Sequence, residues 1–417
     1  MLLDLKTTTV NQAFFEPLEQ ALTTAASLWL CPEFPDDEWL RMGVQRVLEA
    51  SESGRAFLQE HGLRFEKAPT YTNYFASLRS QRRGELAREV NLSLITAMEA
   101  RLCDRLADIP ELAGYACFAA DGHWHKAATH DPRHEGSKMA VGHFYSLSLR
   151  THTLRHLAAG EGLHEHDMRA LKRIKPKGLR QNVRPGPRVL IIYDKAGIDF
   201  GYWKRCRQEC AVYFLSRVKE NMVFEWVADR PWDRSDARNQ GVLVDCTVKS
   251  RDGHLLRLVL YQDAQTGKVY EFLTNEPDLP PGVVAELYRR RWEAEKVFDE
   301  VKNKLGQKKA WGTSLVAKEA QAQMIALTHN LLVCYEQDLE QRHEVTNTAE
   351  DQRRSQRIES AKLECAGMRW PVSSLVLEAR RATQRSVKFI RWLRHAIRDR
   401  LTEAVAVVRL KALYAAL

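Results

Sequence analysis

Between positions 281 and 307 the chain reads PGVVAELYRRRWEAEKVFDEVKNKLGQ, and within it Tyr288, Arg291, Glu295 and Lys302 are separated by three, four and seven residues. At about 100° per residue these four fall within roughly 60° of arc, so a helix presents them on one face. A carboxylate held on such a polar stripe is a candidate site carboxylate. Beside this stripe runs an apolar one, Leu287, Ala294, Val297, Phe298, Val301 and Leu305, which predicts that the helix packs against a sheet. Glu293 lies well off the polar stripe, and Asp299 lies close enough to be a second choice after Glu295.

Two further carboxylates follow apolar, β-prone runs. CFAAD places Asp121 after one, and VLIIYD places Asp194 after another. In α/β sheets the carboxyl ends of strands gather catalytic groups because the loops there are free to hold ligands. An aspartate at a strand end also serves as a turn or helix-cap residue, and each of the two, taken alone, stays open to that reading.

The elements that must position these groups show in the periodicity. Residues 1–110 read as helical, with apolar positions recurring in Trp39, Met42, Val47 and Leu48 and, at intervals of four, in Leu86, Val90, Leu94 and Met98. The segment 53–84 has helix, turn, helix character and ends in Arg79, Arg82 and Arg83, equally readable as DNA contacts or as a solvated helix end. Residues 111–221 alternate strand-like runs (YACFAAD, MAVGHFYSLSLRTHTLRHL, RVLIIYD, VYFLSRVK) with helical ones (His164 to Ile174, then GIDFGYWKRCRQEC), which predicts α/β structure. Residues 222–280 read as a β-rich insertion of short strands and turns. Residues 281–335 carry one long helix from Pro280 and Pro281 to a stop at Gly306, and the rest of the core. Residues 336–417 are helical again, with a polar loop near 340–356.

Here the chain resembles the DDE transposases of bacterial insertion sequences, in the group marked by a Y-x2-R-x3-E-x6-K signature. Tyr288, Arg291, Glu295 and Lys302 match that signature at every spacing, and AADG at Asp121, LIIYDKAG at Asp194, FLSRVK beyond it and RWEAEKVFDEVK add to the likeness. It covers about residues 112–335. The resemblance implies an α/β ribonuclease-H-like catalytic core with a β-rich insertion, flanked by N-terminal and C-terminal helical regions. It also implies that Asp121, Asp194 and Glu295 bind two Mg²⁺ ions, for which Mn²⁺ substitutes. Phosphodiester hydrolysis at neutral pH needs an activated water, a stabilised leaving 3′ oxygen and neutralised transition-state charge, and two such ions about 4 Å apart supply all three. The implied activity is cleavage at the element's ends followed by strand transfer into target double-stranded DNA. Tyr288, Arg291 and Lys302 then hold terminal phosphates, and a homodimer brings two ends together. A transposase-derived DNA-binding regulator without strand-transfer activity, and a metal-dependent nuclease with the same core, are the alternatives.

Other features stay open. Nine of the 14 histidines lie between 123 and 166; His123, His125, His130 and His134 invite a metal site, though no established ligand spacing is present. In the insertion, Trp226 and Trp232 invite stacking on an unstacked base, against a plain packing role. The segment EARRATQRSVKFIRWLRHAIRDRL sets Arg381, Arg385 and Lys388 around a helix with Phe389, Ile390, Trp392, Leu393 and Ile397, suited to DNA, a second protomer or water. A net charge of +9 favours an anionic partner. No apolar run reaches the roughly 18 residues of a membrane span and no signal peptide is evident, so the expectation is a cytoplasmic, DNA-associated protein without membrane contact. The eight scattered cysteines, Cys206 and Cys210 among them, predict reduced thiols.

Overall fold

The computed structural model describes residues 8–29, 31, 33–50, 53–64, 69–126, 133–134, 137–138, 141–160, 167–181, 183–263, 267–345, 356 and 388–415. In chain order, five helices come first: α1 (Val10–Leu22), α2 (Asp36–Glu49), α3 (Gly54–Arg64), α4 (Tyr71–Ser77) and α5 (Gln81–Glu99). There follow β1 (Tyr115–His125), the short pair β2 (Arg133–His134) and β3 (Ser137–Lys138), β4 (Val141–Ser148), β5 (Leu154–Ala159), α6 (Asp167–Arg173), α7 (Pro176–Leu179), β6 (Arg188–Ile192), α8 (Phe200–Cys210) and β7 (Val212–Arg217). Then come β8 (Phe224–Asp229), β9 (Val242–Ser250), β10 (Leu255–Gln262), β11 (Val269–Thr274), α9 (Pro281–Arg290), α10 (Trp292–Asp299), a π-helical turn (Glu300–Lys304), α11 (Leu315–His343) and α12 (Glu403–Ala415).

Local chemistry fixes several of these ends. Thr9 and Gln12 form a reciprocal capping box on α1, and the Thr70, Ser80 and Ser314 side chains accept backbone N–H groups at the starts of α4, α5 and α11. Gly306, at φ +66°, ends the helical run that carries Glu295. Arg82 and Arg83 turn inward rather than toward a partner: Arg82 makes a forked pair with Asp36 at 2.6 and 2.9 Å, and Arg83 Nε donates to the same carboxylate at 3.0 Å. The basic end of the 53–84 segment is therefore largely a structural knot, with Arg79 exposed beside it.

Nine strands form one mixed sheet in the order β5-β4-β1-β6-β7-β11-β10-β9-β8. β1, β6 and β7 run parallel at its centre, while β4 and β5 on one side and β11 to β8 on the other pair antiparallel. The strands of 222–280 thus extend the central sheet through the β7–β11 pairing. Apolar side chains cover both faces. On one, residues of α1, α2, α5, α9, α10 and α11 share a core with β1, β4 and β6; on the other, Trp203, Cys206, Leu179 and Leu171 from α8, α7 and α6 pack on Val189, Ile191 and Phe214.

Helical residues 388–398 and α12 close over α1 and α11. Phe389, Ile390, Trp392 and Leu393 are buried, Trp392 stacks on Tyr335 at 6.3 Å, and its Nε1 donates to the Ala406 carbonyl. The apolar stripe read from the sequence here is core. Arg381 and Arg385 lie outside the described residues. Among those residues no helix is long and apolar enough to cross a membrane.

Candidate active site

The parallel ladder between β1 and β6 ends at the pair Ala119–Ile192. Asp121 and Asp194 each stand two residues beyond that last pair, so the register itself sets them side by side at the carboxyl end of the parallel strands. Their local settings differ from the sequence reading of two strand ends. Asp121 lies inside β1, opposite Tyr145, because β1 continues as an antiparallel ribbon with β4 to His125. Asp194 does follow its strand, and its carboxylate accepts the Lys195 N–H at 2.6 Å, capping a short 3₁₀ turn. It serves as both a cap and an exposed carboxylate facing the site.

The helix expected from Pro281 to Gly306 is broken twice. A turn at Arg291 separates α9 from α10, and the π turn follows Asp299. The apolar stripe behaves as expected: Leu287, Ala294, Val297, Phe298, Val301 and Leu305 are buried. Across the polar side, Arg291 Nη2 donates to Glu295 Oε1 at 2.6 Å and Arg291 Nη1 reaches Asp121 Oδ2 at 3.5 Å. One buried guanidinium therefore bridges the helix carboxylate and the strand carboxylate, while its Nε has no partner.

Electrostatics links the third acid to these two. Burial, countered by Arg291 and by the Gly122 N–H and reinforced by the charges of Glu295 and Asp194, pushes the Asp121 carboxyl up to about 6. Burial opposes the charge on Arg291, but Tyr288, Glu295 and Asp121 outweigh it and raise its pKa. Tyr288 is pushed up mainly by burial, and it feels Asp194 and Arg217. Lys302, displaced by the π turn, is exposed at the margin, where its charge reaches His123.

Hard carboxylate oxygens suit a divalent cation, and the burial that raises Asp121, reinforced by the charges of Glu295 and Asp194, is an electrostatic demand such a cation would meet. Among the described residues, however, no three His, Cys, Asp or Glu side chains converge on a single metal position as they stand. The physical reason at this site is visible: Arg291 already fills the space between Asp121 and Glu295. The neighbouring carboxylates are engaged elsewhere. Glu293 is paired with His152 on the other side of α10, and Asp299 accepts from Asn303 at 2.6 Å.

Asp194, Tyr288 and Arg291 open onto a cavity of about 600 Å³ whose wall includes Arg217, Tyr270 and Phe272. Tyr270 and Phe272 lie parallel at 6.2 Å, Phe272 meets Tyr288 at 5.0 Å, and Arg217 sits over Tyr270 at 5.2 Å. Sequence reasoning missed this aromatic and cationic wall. Arg217 had a signal in the FLSRVK run, whereas Tyr270 had none beyond strand alternation. Trp226 and Trp232 lie apart from the cavity. Trp226 is half exposed on the edge strand β8, and Trp232 follows that strand and carries Arg234 over its ring at 4.9 Å.

The histidine cluster resolves into a buried row. His123–His125, His125–His143 and His143–His156 ring centroids are 4.8, 4.9 and 5.2 Å apart, with His143 Nδ1 and His156 Nε2 at 3.2 Å. Burial holds His125 and His143 well below the ordinary imidazole range, so the row is neutral. His130 lies outside the described residues, as does the side chain of His134.

A family model described as "Transposase DDE domain" matches residues 120–331, just over half of the chain. A protein of Sinorhizobium fredii (strain NBRC 101917 / NGR234) named "Putative transposase y4zB" is 30% identical over 120 residues, 27% of this chain and 33% of that protein. The match thus spans about a third of that relative's length. A cryo-EM structure of the piggyBac transposase synaptic complex with hairpin DNA aligns with 94% of this chain and 84% of its own at 12% identity and a TM-score of 0.35.

Proposed function

This chain belongs to the family defined by the transposase DDE domain, and on that premise we propose that it is a metal-dependent enzyme that cleaves the ends of an insertion sequence and joins them to target DNA by a cut-and-paste route. The observation that carries the reading is the single guanidinium of Arg291 lying between Asp121 and Glu295, with Asp194 close enough to act on Asp121's charge. Asp121 and Glu295 share the Arg291 guanidinium, and Asp194 stands beside Asp121 at the carboxyl end of the parallel strands, an arrangement that supports a three-carboxylate site. The strand order β5-β4-β1-β6-β7, with β4 antiparallel, supports a ribonuclease-H-like core, to which β8–β11 add the insertion.

Asp121, Asp194 and Glu295 would hold the divalent cations, Mg²⁺ or Mn²⁺, which when bound supply an activated water and a neutralised phosphate. The remaining steps fall to the chain itself. Arg291 orients a phosphate through its planar donors, and Tyr288 walls the cavity beside Asp194 and excludes water there. Lys302 adds positive charge at the rim, together with Arg217 within the cavity. An unstacked base near the cleaved end would meet Tyr270, Phe272 and Tyr288 before either Trp226 or Trp232. The chain divides functionally into helices 1–110, the core 111–221 and 281–335 around the insertion 222–280, and the region 336–417. The working unit is a homodimer, one protomer per DNA end, and the element is bacterial with the Tyr288, Arg291, Glu295, Lys302 signature.

The test is incubation with Mg²⁺ and a duplex taken from the DNA flanking the gene, comparing wild type with Asp121→Ala, Asp194→Ala and Glu295→Ala. Wild type should nick and join the duplex while each variant binds it without cutting. Binding without cleavage by wild type sinks the enzyme reading in favour of a regulator. Nicking without joining points to a nuclease, and an active Glu295→Ala removes that residue from the site.

A further inference from the structure

The side of α10 turned away from the site is held by two histidines. Glu293, about 200° around the helix from Glu295, accepts a hydrogen bond from His152 Nε2. Glu300, opening the π turn, lies 3.2 Å from His329 Nδ1, and His329 Nε2 lies 3.0 Å from the His152 carbonyl oxygen. A continuous polar chain therefore runs from α10 to the turn between β4 and β5 and on to α11. All four side chains are more than three-quarters buried.

The histidine at the centre of this chain is in an enforced conformation. His152 has φ +58°, the left-handed region where a Cβ is disfavoured, and a residue stays there only when its surroundings over-determine it. The turn that carries it is fastened to β1: Leu149 N donates to the Cys117 carbonyl at 2.9 Å, and Arg150 Nε donates to the Tyr115 carbonyl at 3.0 Å. β1 is the strand of Asp121. The His152–Glu293 contact thus ties the helix of Glu295 to the strand of Asp121 by a short path outside the site.

Apolar packing under α10 does not supply the same restraint. Ala294, Val297, Phe298 and Val301 bury one face, and such contacts resist separation more than rotation or sliding. On the outer face, instead of tight packing, lies a cavity of about 810 Å³ bordered by Arg105, His152, Glu293, Lys296, Glu300 and His329. Hydrogen bonds there are directional, and a π turn begins at Glu300.

We propose that His152, Glu293, His329 and Glu300 are positioning residues that fix the rotation of α10, and with it the placement of Glu295 over Asp121. This rests on the reading of Glu295 as a site carboxylate. In the full-length protein, Glu293→Ala and His329→Ala should each weaken Mn²⁺ binding without DNA, read by electron paramagnetic resonance. Each should also slow single-turnover cleavage about tenfold, within the loss a displacement below 1 Å produces. Affinity for the flanking duplex should stay within about twofold, since the outer face is not part of the DNA-binding stripe. Glu293→Gln keeps an acceptor for His152 and should recover most of the rate, a rescue that loss of packing alone would not show. Wild-type Mn²⁺ affinity and rate in the alanine variants would overturn the proposal, and so would a glutamine variant as impaired as alanine. Should Glu293→Ala fail to fold, Glu300→Ala addresses the second contact from its carboxylate side, with the same losses expected and wild-type behaviour again decisive against it. Glu295→Gln separates the two readings: if it cleaves normally the site assignment fails, whereas if it is dead and Glu293→Ala is unaffected, only the positioning role fails.

Discussion

Replacing Arg291 with glutamine should make the DNA-free protein bind metal more tightly, even though the proposed function has that residue hold DNA phosphates. Its guanidinium touches Glu295 at 2.6 Å and Asp121 at 3.5 Å, so a cation entering between those carboxylates has to displace it. Glu295 is 36% exposed and Asp121 25% exposed while Arg291 is 8% exposed, which places the contacts between a solvated pair and a sealed one. Breaking the close contact then costs about 1 kcal/mol, and the longer one adds a few tenths. With 1.36 kcal/mol per factor of ten, the variant should bind Mn²⁺ roughly five to tenfold more tightly. Removing a positive charge beside the site acts in the same direction. Titration of Mn²⁺ into DNA-free protein, followed by the free-ion resonance signal, reads the change, and Asp121→Asn marks the background. DNA affinity should fall in the same variant because a paired phosphate donor is gone. Equal or weaker Mn²⁺ binding by Arg291→Gln would refute the idea that the guanidinium occupies the cation's place.

Three further outcomes follow from individual contacts. Because burial raises Asp121 from 3.8 to about 6, its contribution to stability is full below pH about 4 and is lost as pH rises through 6. The metal-free Asp121→Asn protein should therefore melt higher than wild type at pH 8, by at most roughly 3 kcal/mol, with the gain fading at pH 4. A lower melting temperature at pH 8 would contradict the assigned burial. Asp36→Ala leaves the 7%-exposed Arg83 and its neighbour Arg82 without their shared carboxylate and should cost about 3–5 kcal/mol in denaturant unfolding, while DNA affinity per folded molecule holds if these arginines are structural. Gly282→Ala sets a Cβ against the Arg238 carbonyl oxygen at the start of α9 and should cost about 1–3 kcal/mol, with cleavage falling because α9 leads into Arg291; an unchanged melting temperature would show that the turn yields.

The parts of this molecule that were legible in the sequence are those whose signal is local. The stripe of Leu287, Ala294, Val297, Phe298, Val301 and Leu305 is a matter of helical period alone, and every one of these side chains is buried. The π turn after Asp299 and the break at Arg291 were not legible, because a single helix satisfies the same pattern and only packing against the sheet chooses between them. Asp121 looked like a strand end because the apolar run stops there. In the structure β1 continues through Gly122, His123, Trp124 and His125, whose pairing with β4 is long-range and leaves no local mark. Arg82 and Arg83 illustrate the same limit for charge: a basic run reads as a surface, yet its partner Asp36 lies more than 40 residues away.

The same distinction explains why the histidines and the acids separate into different roles. Asp121, His123 and His125 alternate along β1 and so share one face, but the sheet grades that face from the cavity's edge into the interior. At Asp121 a quarter of the side chain remains exposed and the Arg291 guanidinium lies 3.5 Å away; at His125 nothing is exposed and both ring nitrogens lack partners. Charge is sustainable only at the first of these positions. On the proposed function, metal-dependent phosphate chemistry would sit at the Asp121 end of the strand, with Asp194 and Glu295 supplying the remaining oxygens. The neutral imidazole row behind it fixes the β1–β4–β5 ribbon against Phe298 of α10, where His123 stacks at 5.7 Å. The face of α10 that carries the site and the face that is latched to His152 thus bear on the same three strands, and a shift at either face is felt at Glu295.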